Sequence, residues 1–89
     1  MQQIIANVEQ VTGIPLSTIQ SYKRQLVISD ARAILTWELM IAGHDMKDIA
    51  KLINKSLVSA YQCTYRYRDY KNVGAFKEKA ESVARMRIK

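Results

Sequence analysis

Residues 45–70, DMKDIAKLINKSLVSAYQCTYRYRDY, decide the fold. Asp45 stands where it can cap a helix, Asp48 lies three residues on near the positive end of the helix dipole, and Met46, Ile49, Ala50, Leu52 and Ile53 supply an apolar side. Asn54 ends that helix, because Asn tolerates the left-handed backbone that a sharp reversal demands. Ser56 is placed to cap a second helix beginning at Leu57. Two short helices about a tight break form a helix-turn-helix pattern. Where such units bind DNA, the second helix enters the major groove, its N-terminal residues meet base edges, and the first helix braces against the backbone.

Outward from this unit the same signals recur. Ile4, Ile5, Val8 and Val11 repeat at helical spacing, so residues 2–11 are expected to form a first amphipathic helix ending at Thr12 and Gly13. Pro15 opens PLSTIQ, which suits a short second helix, and SYKRQL follows as a basic loop without apolar period. From about Ile28 to Ala42 a long helix carries Ala31, Ile34, Leu35, Leu39 and Ala42 on a broad apolar side and stops at Gly43, which makes it the expected central helix. After a weak break at Asn72 and Gly74, residues 75–89 form a last helix with Phe76, Ala80, Val83 and Met86 inward and a basic, fraying tail. Trp37, Tyr61 and Tyr65 are expected in the core, since helical spacing sets each beside aliphatic residues. With no strand pattern or repeat, the expected fold is all-α, a single domain over residues 1–89 built as a compact bundle of about six helices.

Composition narrows the function. The chain holds 14 Lys plus Arg against 8 Asp plus Glu in 89 residues. Between Lys47 and Lys71 stand six basic residues, Lys47, Lys51, Lys55, Arg66, Arg68 and Lys71, and only two acidic ones, Asp48 and Asp69. A merely soluble face interleaves both signs, so the excess reads as a phosphate-binding footprint. The acidic residues are scattered singly, and no Ser, His and Asp constellation, Gly-rich phosphate loop or Cys and His ligand cluster appears, so neither catalysis, a cofactor, a metal nor a small-molecule substrate is expected. Cys63 reads as a small half-buried hydrophobe and His44 as a loop residue. Apolar runs are broken by charge and the N-terminus lacks a signal-peptide pattern, which implies a cytoplasmic protein without a membrane span.

With Leu57, Tyr61, Thr64, Tyr65 and Arg68 taken as the packed side of the second helix, Val58, Ser59, Gln62 and Arg66 project the other way as a reading head. Gln engages adenine, Arg guanine or a phosphate, Ser is adaptable, and Val packs on a thymine methyl.

The chain resembles the C-terminal DNA-binding domain, domain IV, of the bacterial replication initiator DnaA. IIANVEQVTGIPLSTIQSYKRQ is similar to that domain's opening helix, short second helix and basic loop, DARAILTWEL to its long helix, and MKDIAKLI to the stretch usually reading Leu-Pro-Glu-Ile-Gly, with a deletion of about one residue before it. The resemblance implies that Arg24, with Lys23 beside it, enters the minor groove from the basic loop and that Arg32 contacts the DNA backbone. Ser56, Leu57, Val58, Ser59 and Ala60 stand where the family has Arg, Asp, His and two hydroxyl residues, so only Ser59 is kept. Lys47 replaces the family Pro. A retained scaffold with a rewritten code is implied.

The expected function is binding of double-stranded DNA, with phosphate contacts from Arg32, Lys47, Lys51 and Lys55 and base contacts from the second helix. No nucleotide-binding motor accompanies the domain in this sequence, so a small bacterial or phage-encoded regulator of transcription or replication is expected rather than an initiator ATPase. The alternative is a protein-interaction domain, pairing with another protein or a second copy, that keeps the fold and uses Leu57 and Val58 as an adhesive edge.

Overall fold

A computed structural model describes residues 1–87. Six α-helices follow one another: α1 (Gln2–Thr12), α2 (Leu16–Ile19), α3 (Leu26–Ile41), α4 (Met46–Leu52), α5 (Leu57–Tyr70) and α6 (Gly74–Arg85). There is no strand among the described residues. The principal extents are 29 × 27 × 22 Å. Among the described residues no helix is long and apolar enough to cross a membrane.

Local chemistry sets the breaks. Gly13 adopts φ 71°, a left-handed conformation suited to a residue without Cβ, and its N–H closes α1 on the Glu9 carbonyl at 2.9 Å. The Glu9 carboxylate then accepts the Leu16 N–H at 2.8 Å, which ties the start of α2 to α1. Asp45 caps α4 through the Lys47 N–H, Ser56 caps α5 through the Ser59 N–H, and Asn54 between them takes φ 59°.

α3 is the axis of the molecule and touches every other helix. Ala31, Ala33, Ile34, Leu35 and Leu39 are buried along it, and Val8, Ile19, Ile49, Ile53, Ala60, Phe76, Ala80 and Val83 close in from the surrounding helices. The helix begins at Leu26, earlier than the apolar pattern suggested, with Leu26 and Val27 exposed on its first turn. Ala42, expected on the apolar side, lies past the helix end and is exposed. α6 stops at Arg85, and residues 88 and 89, expected to continue it as a basic tail, lie outside the described residues.

The expected packing of α5 is corrected by rotation about its axis. Tyr61 and Tyr65 are not core: they are 43% and 50% exposed, while Tyr67 is 6% exposed. Ala60, Thr64 and Tyr67 are the buried positions, one residue out of phase with Tyr61, Tyr65 and Arg68, which at 3.6 residues per turn is a swing of about 100°. Stacking supplies the reason. The Tyr67 ring lies parallel to half-buried Trp37 at 4.5 Å between centroids and meets the edge of Phe76 at 5.5 Å, joining α3, α5 and α6 in one aromatic cluster. Tyr67→Ala is therefore expected to cost about 3 kcal/mol or more in urea unfolding followed by far-UV circular dichroism. Tyr61→Ala should stay within about 0.5 kcal/mol of the parent; a reversed order of the two losses would return Tyr61 to the core.

Candidate nucleic-acid interface

The loop between α2 and α3 is held from two sides. From α3, buried Arg32 donates through Nε to the Ile19 carbonyl at 2.9 Å and through Nη2 to those of Ser21 and Lys23 at 3.1 and 3.3 Å. From the turn between α4 and α5, Lys55 Nζ donates to the same Ser21 carbonyl at 2.7 Å and rests 4.6 Å from the centre of the Tyr22 ring. Gln20 Nε2 reaches the Leu52 carbonyl at 2.7 Å, and Asn54 Nδ2 reaches the Gln20 carbonyl at 3.3 Å. The basic loop is thus attached to the α4–α5 unit, and Arg24 is carried to the flank of α5.

Two adjoining hollows result. One, of about 760 Å³, is bounded by Tyr22, Arg24, Arg32, Lys51, Lys55 and Ser59. The other, of about 440 Å³, shares Arg24, Arg32, Lys55 and Ser59 and continues to Gln62 and Arg66. No carboxylate lines either hollow. Burial lowers the Lys55 pKa from the ordinary lysine value, and Arg32 and Arg24 press it in the same direction. Burial likewise lowers that of Arg32. Arg32, Arg24 and Lys55 thus bring like charges to one cleft.

The residues singled out from sequence are distributed as follows. Arg24, Arg32, Lys51, Lys55, Ser56 and Ser59 converge on the first hollow, and Gln62 and Arg66 on the second. Lys23, Lys47 and Val58 are exposed but line neither. Arg32 is only 7% exposed, with Nε and Nη2 turned onto backbone carbonyls, so its main work is to shape the loop. Arg66 is also engaged: Nε and Nη2 both donate to Asp30 Oδ1, at 3.2 and 3.0 Å, and its guanidinium lies 5.1 Å from the Tyr70 ring centre. A free fork for guanine is not presented there without breaking that pair. Cys63, half-buried, lines the second hollow, and burial raises its thiol pKa above the ordinary cysteine value.

Tyr22, Asp30 and the outward placement of Tyr61 and Tyr65 were not singled out from sequence. An exposed tyrosine within a basic loop and a lone aspartate in an apolar helix were the available signals. Among the described residues, no group of three or more His, Cys, Asp or Glu side chains is arranged to hold a metal ion. Compared with protein-family models, curated proteins and solved structures, the chain matches none.

Arg32→Met keeps an unbranched side chain of similar stem and removes all three hydrogen bonds of the guanidinium. It is expected to cost about 2–3 kcal/mol of stability and to speed tryptic cleavage after Lys23 and Arg24, because the loop loses its anchor. Unchanged cleavage and stability would remove Arg32 from this role.

Proposed function

We propose that this chain binds double-stranded DNA, with α4 and α5 acting as a helix-turn-helix, α5 in the major groove and the loop before α3 offering Arg24 to the minor groove. The observation that carries this reading is the convergence of cations from three separate segments, Arg24, Arg32, and Lys51 with Lys55, on hollows that flank the N-terminal half of α5 and have no carboxylate among their described lining residues. Exposed Lys47 adds charge at the start of α4. The resemblance to the replication initiator's C-terminal domain supports the same docking. A small cytoplasmic regulator of transcription or replication fits such a module.

Within this reading the contacts divide. Arg24, Lys47, Lys51 and Lys55 supply charge to phosphates, Arg32 positions the loop and has only Nη1 without a partner among the described residues, and Ser59 and Gln62 face bases. A second reading, a protein-interaction face on α5, draws on Leu57, Val58, Tyr61 and Tyr65, which are all exposed.

Fluorescence anisotropy on random duplex at several salt concentrations separates the two. Four phosphate contacts give a slope of about −3 to −4 in log affinity against log salt, whereas an apolar protein interface responds weakly. Absence of binding at low salt to any duplex pool would defeat the proposal. Arg24→Ala is expected to weaken binding to a selected site by about 1–3 kcal/mol without changing the melting temperature. Lys51→Ala should lower affinity for all sequences about equally, and a changed sequence preference in that variant would contradict its assignment to phosphate.

A further inference from the structure

α5 presents to solvent a face that direct hydrogen-bond readout does not explain. Val58 is 67% exposed, and Tyr61 and Tyr65 follow it at helical spacing on the same outward side. The polar side chains that share the outward half of the helix are mostly engaged. Ser59 Oγ accepts from Ser56 Oγ at 3.1 Å and keeps only its own O–H to donate, Arg66 is held by Asp30, and the Arg68 guanidinium lies 5.2 Å from the Tyr65 ring centre. Gln62 alone in the first two turns has a fork with no partner among the described residues. A helix that brings the Val58 side chain and two tyrosine rings to a groove beside one amide and one hydroxyl offers more apolar than hydrogen-bonding surface there. In the major groove, thymine is the one base that offers an apolar group, its 5-methyl.

We propose that the outward face of α5 reads thymine methyl groups, with Val58 and Tyr61 as the principal contacts and Tyr65 extending the apolar surface. The inference rests on the DNA-binding reading above and names what the major-groove helix selects. Val58 to Tyr65 spans about 10 Å along the helix axis, which corresponds to about three base steps of 3.4 Å. The thymines therefore fall within one short window of the site. Charge complementarity assigns the face to DNA. Arg24, Lys51 and Lys55 flank it on the walls of the first hollow, while its one carboxylate, Asp69, sits in the last turn, about 16 Å from Val58 along the helix. Pairing with a second copy through the same face sets those cations against their own kind.

The test uses the full chain and the best duplex from a random-sequence selection. Each thymine in turn is replaced by deoxyuracil, which removes only the methyl, and by 5-methylcytosine paired with guanine, which changes the pair but keeps a methyl at the same place. At one or two thymines uracil is expected to weaken binding about fourfold, the effect of losing one buried carbon. 5-Methylcytosine should bind more tightly than cytosine at those positions. In Val58→Ala the uracil penalty should vanish at one position, and in Tyr61→Ala at its neighbour; both side chains are exposed, and circular dichroism verifies that each variant is folded. Three results overturn the inference while the DNA-binding reading stands: salt-dependent binding indifferent to uracil everywhere, a selected site without thymine, or a uracil penalty that persists in both variants. A dimer of the parent in sedimentation that Tyr61→Ala dissociates, with DNA affinity unchanged, also overturns it and gives the face to a second copy. Failure of the parent to bind any duplex overturns both.

Discussion

Arg32 joins three parts of the molecule through a guanidinium that the fold nearly covers, and most of what is distinctive about the site follows from how that charge is satisfied. A buried cation is costly unless its donors find partners. Here no carboxylate accepts from it; the carbonyls of Ile19, Ser21 and Lys23 do. Since those carbonyls belong to the end of α2 and the loop that follows, the backbone there must curl around position 32 of α3. A planar, fixed fork imposes that curvature in a way a single ammonium does not. Lys55 adds a second donor to the Ser21 carbonyl from the α4–α5 turn, so one loop is gripped from two elements that meet only in the fold.

The grip has an electrostatic consequence. Using carbonyls rather than carboxylates leaves the positive charge of Arg32 uncancelled, and Lys55 and Arg24 are then placed beside it. The lowered pKa of Lys55, caused by burial first and by Arg32 and Arg24 after it, is the local sign of that crowding. Elsewhere the chain does cancel charge: Glu38, buried on α3, holds Arg87 with two bonds of 2.8 Å, and Asp30 holds Arg66. These neutralised pairs contrast with Arg24, Arg32, Lys51 and Lys55, which line a hollow that has no carboxylate among its described lining residues. An anionic partner is favoured there beyond what the overall charge of the chain would give.

How much of this was legible in the sequence depends on whether the deciding interaction is local. Helix breaks at Gly13, Asn54 and Ser56 are set by residues within one turn of the break, and they fall where the letters place them. The facing of α5 was not legible, because it carries two aromatic sets, Tyr61 with Tyr65 and Tyr67 with Tyr70, and identical side chains give no local ground for choosing between them. The choice is made by partners on other elements, Trp37 and Phe76, whose rings accept Tyr67, and by the small side chains Ala60 and Thr64, which take the positions turned to the interior. The cationic cleft shows the same division. Excess charge is countable in the sequence, but Arg24 and Arg32, eight residues apart and chemically identical, have opposite exposures, and only the fold separates a charge offered outward from one used to bend a loop.

That separation bears on how a surface of this kind can change its preference. In the proposed docking, the cations lie on the loop, on α3 and on the α4–α5 turn, while the outward face of α5 is largely apolar. Affinity then comes from groups whose placement depends on Arg32 and Lys55, and discrimination from side chains such as Val58 and Gln62 that support nothing else in the fold. Substitution on the outward face costs little stability, since those positions are exposed and away from the buried network. Substitution among the loop anchors disturbs the geometry of the whole cleft. Within residues 56–60 the two kinds of position are mixed: Leu57 and Val58 are exposed and free to vary, Ser56 and Ser59 serve the cap, and Ala60 is buried. In the proposed docking, positions such as 57, 58 and 62 can therefore change while the loop, the turn and the cap that present them are kept.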